Sequence, residues 1–155
     1  MRFVASRLRP AEWLIGAAAL ALALDASLLP WFGSENAWQA LRFTRYVIAV
    51  AILGGLASWW LQGTRRSPAM PICATVTTLS LCTLALIALV WCVLIDTPGS
   101  GHVRAGAYVG LVFSAALTAA TYRSVRLDGI RDADGPGEIE RLAVPPASPR
   151  PDPAL

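Results

Sequence analysis

Asp25 is the residue of this sequence whose type and setting could do chemistry. It stands inside the apolar run AEWLIGAAALALALDASLLP, residues 11–30. A carboxylate there is costly, and by default it marks a proton or ion site or a counter-ion. Only six residues separate Asp25 from Trp31, roughly 9 Å along a helix. Arg42 and Arg45, three apart and therefore on one helical face, return the chain to the same level. Arg104 opens the last apolar segment on that side. Two uses follow for Asp25: an ion pair with one of these arginines, or a proton- or cation-binding site on a transport path. Replacement by Asn separates them, since loss of an ion pair costs folding and loss of a transport site costs coupling.

The remaining polar groups point to packing. Glu12 stands at the start of the first segment, where a carboxylate suits a helix N-terminus and can face Arg9. In the last segment Gly106, Gly110, Ser114 and Thr118 recur every four residues. Such a ridge lets another helix approach closely, and its expected use is within the fold, ahead of homodimerisation. Gly54, Gly55 and Ser58 offer it a partner surface. Thr75, Thr77, Thr78, Ser80 and Thr83 supply hydroxyls that can bond back to carbonyls or across helices. Cys73, Cys82 and Cys92 are nine and ten residues apart. Successive thiols then lie over 10 Å apart along a helix, too far for a bridge. The single histidine, His102, lies in a glycine-rich link, and no metal-ligand cluster, phosphate loop, dinucleotide fingerprint or nucleophile elbow is present. These observations predict no enzyme, no cofactor and no metal.

The elements that must position these residues follow from charge. Of 155 residues 55% are hydrophobic and 15% charged, against about 25% charge in an ordinary soluble domain. Residues 72–95 carry no charge at all. That is roughly 36 Å of helix, enough to cross a ~30 Å hydrocarbon core with some tilt. Four apolar segments, at about 11–30, 43–62, 72–95 and 105–122, have the length of membrane spans. The links between them are short, which predicts an all-α, up-and-down four-helix transmembrane bundle over 1–122. Asn36, with Gln39 three residues later, predicts a helix start near Ala37. Pro71 suits the first turn of the third span. Residues 123–155 hold six of the eleven prolines and read as a largely disordered cytoplasmic tail. A cleaved leader is the rival reading of the first segment. Apolar sequence resumes after Asp25, however, with no polar region before a cleavage site.

Orientation follows from the basic residues, all of which are arginine. With the N-terminus inside, eight fall on the cytoplasmic side (Arg2, Arg7, Arg9, Arg65, Arg66, Arg123, Arg126, Arg131). Three fall outside (Arg42, Arg45, Arg104). The asymmetry places both termini in the cytoplasm. The net charge of +3 is thereby accounted for by topology and gives no ground for a nucleic-acid partner. All six tryptophans fall near an expected interface, where indole rings prefer to sit.

The runs LDASLLPWFG, RRSPAMP and RAGAYVGLV together resemble a set of small four-helix integral membrane proteins of high-GC bacteria. The resemblance covers about residues 11–125 and implies topology without an activity. Small multidrug transporters carry a glutamate deep in the first helix, whereas Glu12 is at its edge; vitamin K epoxide reductase-like proteins need a C-x-x-C, which is absent. The expected protein is a non-enzymatic structural, accessory or interaction component of a bacterial inner membrane. Its expected partners are the lipid bilayer and a membrane protein or further copies of itself. The alternative is a small oligomeric transporter or channel that uses Asp25.

Overall fold

The computed structural model describes residues 8–64, 69–97 and 102–129. The proline-rich tail beyond 129, Arg2, Arg7, and the basic turn with Arg65 and Arg66 lie outside these residues. Among the described residues the fold is all-helical, with four long apolar helices.

Helix α1 spans Pro10–Leu28. Pro10 opens it, where the missing N–H costs nothing, and the Arg9 backbone N–H donates to Glu12 Oε2 at 2.9 Å. The chain turns extended at Leu29, the residue before Pro30, as proline demands of its predecessor. Helix α2 is a single turn, Ala37–Ala40, and carries the expected reciprocal cap. Gln39 N donates to Asn36 Oδ1 at 3.1 Å, and Asn36 N donates to Gln39 Oε1 at 3.4 Å. It does not run on into the next helix. Leu41 takes an extended conformation that sends its side chain into the core and interrupts the ladder.

Helix α3 spans Thr44–Gly63 and α4 spans Ala69–Val90, with Pro71 in its first turn. Residues Trp91–Ile95 continue α4 as a π turn, closed by Asp96 N donating to Trp91 O at 2.9 Å. Helix α5 spans Ala105–Gly129. The sequence expectation ended this helix at 122 and began the tail there. Instead the buried series Leu117, Ala120, Thr121 and Ser124 keeps helical spacing past that point, so the helix outlasts its apolar stretch.

Each long helix packs against two others, α1 on α3 and α5, and α4 on α3 and α5. The side-chain pairs run in opposite chain directions across the α3/α4 seam: Thr44 meets Cys92, Ser58 meets Thr78 and Gln62 meets Thr75. Across α1/α3, a methyl added at Gly16 would lie 2.8 Å from the Trp59 ring, and one at Gly55 would lie 3.1 Å from Ala19 Cβ. Close helix approach therefore depends on small residues at these crossings. The interior is filled by Ile15, Leu22, Ile48, Leu89 and Leu117, while Leu24, Leu53, Ile87 and Val112 are exposed.

Candidate functional site

Asp25 lies in the last turn of α1, where its carbonyl accepts from Leu29 N at 3.0 Å. Its side chain is only 4% exposed and points at α5. Gly110 leaves the space: a methyl there would stand 2.7 Å from Asp25 Oδ2. Over the same surface lies Trp31, which is 0% exposed. Its ring covers Gly110 and Gly106, where an added methyl would come 2.9 Å from Cδ1 of the indole and 2.6 Å from the Pro30 carbonyl. The glycines of the four-residue ridge thus seat an indole and a carboxylate, and both are buried. Ser114 below them is buried as well, and Thr118 bonds back to the Ser114 carbonyl at 2.9 Å.

The backbone around Trp31 holds it in place. Trp31 N donates to Glu35 O and Arg104 N donates to Trp31 O, each at 2.8 Å. Phe32 forms isolated bridges with Glu35 and Val103, and Gly33 N donates to His102 O at 3.1 Å. Gly33 has φ 60°, a left-handed conformation that glycine adopts without strain. This clasp ties the α1–α2 link to the residues that enter α5 and closes the end of the fold above Asp25.

The arginines expected to pair with Asp25 do not reach it. Arg42 and Arg104 are exposed. Arg45 donates to Trp38 O at 3.3 Å and to Tyr46 Oη at 2.9 Å, and it stacks 4.8 Å over the Tyr46 ring. The Trp31 indole N–H lies alongside the carboxylate, yet neither that nitrogen nor either carboxylate oxygen completes a hydrogen bond. The reason is local. Leu41 breaks the chain between α2 and α3 and leaves Arg42 on the outside of the bend, while Tyr46 supplies Arg45 with a nearer partner.

Trp31 is what a reading by sequence depth misses. An interfacial indole should be partly exposed, as Trp13, Trp60 and Trp91 are. Trp31 is instead a core residue, and Trp59 sits half-buried on Gly16. The signal available was the pair Gly106 and Gly110, one turn apart on one face, because two stacked glycines make a seat for a flat ring.

The hydroxyls of α4 divide by face. Thr77, Ser80 and Thr83 are exposed and bond back to the carbonyl four residues earlier. Thr75 and Thr78 are buried: Gln62 Nε2 donates to Thr75 at 3.2 Å, and Thr78 meets Ser58 at 2.7 Å and donates to Gly54 O at 3.2 Å. Of the predicted partner surface for the α5 ridge, Gly54 and Ser58 thus face α4, and Gly55 alone touches α5, through Leu117. Glu12 caps its own helix through the Arg9 amide. Among the described residues no group of three metal-ligating side chains comes together, and the three cysteines are free.

Chemically, the arrangement is a carboxyl group held apart from water by an indole, a glycine surface and a backbone clasp. A carboxyl so placed could hold a proton or a small cation. Comparison of the chain with protein-family models, with curated proteins and with solved structures gives no match.

Proposed function

We propose that this is a multi-pass protein of a bacterial inner membrane, an up-and-down four-helix bundle with both termini cytoplasmic. We propose further that it serves as a non-enzymatic structural, accessory or interaction component. One observation carries the reading. Large side chains fill the interior, while leucines, isoleucines and valines cover the outside of every long helix. In water such a surface would drive association, whereas in a bilayer it is solvated. The arginine asymmetry supports the orientation, and the resemblance of three sequence runs supports the bacterial setting. Affinity purification in mild detergent, followed by mass spectrometry, tests the accessory role. A membrane-protein partner should co-purify in constant ratio, and repeated recovery of a lone monomer would remove this reading.

The unpartnered carboxylate of Asp25 favours a second reading, a small oligomeric transporter or channel. It predicts homo-oligomers and a proton or cation flux in proteoliposomes that Asp25→Asn abolishes. A flux equal in the variant and the parent, or no flux at all, would sink it.

A further inference from the structure

The side of the fold away from α4 carries a groove of about 420 Å³ between α1 and α5. Its floor is alanine: Ala17 and Ala21 from α1, Ala116 and Ala119 from α5. Phe113 stands at one end and Arg123 at the other. Two properties bear on what fills it. Its length from Phe113 to Arg123 is ten residues of helix, about 15 Å, which is the thickness of one hydrocarbon leaflet. Its one charged wall is a guanidinium at the end where the lipid headgroups would lie. A guanidinium pairs with phosphate through two parallel hydrogen bonds, and Arg123 is exposed.

We propose that this groove binds one anionic phospholipid from the leaflet on the Arg123 side, with an acyl chain along the alanines and the phosphate on Arg123. The site rests on the membrane-spanning reading above. Arg126 is not part of it, since that side chain lies 5.8 Å over the Tyr122 ring and does not line the groove.

Native mass spectrometry of the full chain, released from micelles containing equal phosphatidylglycerol and phosphatidylcholine, tests the proposal. The expected result is one retained phosphatidylglycerol per chain, preferred about fivefold, the ratio that ~1 kcal/mol per arginine at an anionic surface provides. Arg123→Gln should reduce that preference to about one, and Arg126→Gln should leave it intact. Ala116→Leu and Ala17→Leu, both at exposed positions, should each lower retention of both lipids while the thermal unfolding temperature holds. A preference that survives Arg123→Gln would overturn the site, as would lipid retention indifferent to both leucine variants. A second copy of the chain in place of lipid, or an adduct of inorganic phosphate that forms as readily, would also overturn it. Release of the protein from membranes by alkaline carbonate would instead remove the membrane reading itself. Resistance to carbonate without selective lipid retention would remove only the lipid site.

Discussion

A carboxylate with neither oxygen hydrogen-bonded raises the free energy of the fold that contains it, whereas an ion-paired one lowers it. The two cases give opposite signs on substitution. Asp25→Asn should therefore leave the unfolding temperature in detergent unchanged or higher, and Arg42→Gln and Arg104→Gln should stay within about 0.5 kcal/mol of the parent. A clear fall for Asp25→Asn together with either arginine variant would restore the ion pair. The glycines make a sharper contrast. A methyl at Gly110 meets the Trp31 ring and, at 2.7 Å, Asp25 Oδ2; at Gly54 the nearest atom is Thr78 Oγ1 at 3.4 Å. Gly110→Ala should cost about 1–3 kcal/mol through overpacking. Gly54→Ala should be neutral, or favourable by up to ~1 kcal/mol from helix propensity. Thermal unfolding followed by circular dichroism checks both. Asp25 stood out in the sequence because it interrupts an apolar run. Its neighbour Trp31 did not, because depth along a helix says nothing of whether the next indole turns outward or inward over a glycine.

Helix α4 shows how one element carries two kinds of hydroxyl. Those facing α3 cross the seam, and those facing outward satisfy themselves on their own backbone. Ser58→Ala and Thr78→Val should each cost about 0.6 kcal/mol, and under ~1.7, the range of interhelical hydrogen bonds within membranes. Thr83→Val should change stability by less than about 0.5 kcal/mol. Helix α2 is the other element whose stability is local. Asn36→Ala should cost about 1 kcal/mol there, seen as faster hydrogen exchange at the Gln39 and Ala40 amides with α3 unaffected. The long helices were legible because uncharged runs of about twenty residues have few alternatives, and the cap of α2 because Asn36 and Gln39 are neighbours. The π turn at Trp91 and the break at Leu41 were not, since each is decided by packing against residues far along the chain. For the same reason α5 passes Tyr122: its inward face stays buried after its outward face has become polar.

At the scale of the whole molecule, the proposed orientation rests on the asymmetric placement of the arginines. A His102→Cys variant, with Cys73, Cys82 and Cys92 replaced by Ala, should react with a membrane-impermeant maleimide in intact cells. Labelling only after permeabilisation would reverse the proposed orientation. The four helices long and apolar enough to cross a membrane could be read from composition and charge placement, which are sums over many residues. The clasp could not, because it joins Trp31, Phe32 and Gly33 to His102, Val103 and Arg104, two short links with no pattern in common. That joining has a consequence for how the protein is made. The seat of Trp31 lies on α5, nearly eighty residues further along the chain, and at about 5–20 residues per second it is synthesised some 4–16 s after the indole. On the membrane-spanning reading proposed above, α1 would wait in the bilayer through that interval with Asp25 uncovered. On that reading insertion factors and membrane proteases would have several seconds to sample it, and a ribosome stalled before Gly106 would leave the carboxylate bare.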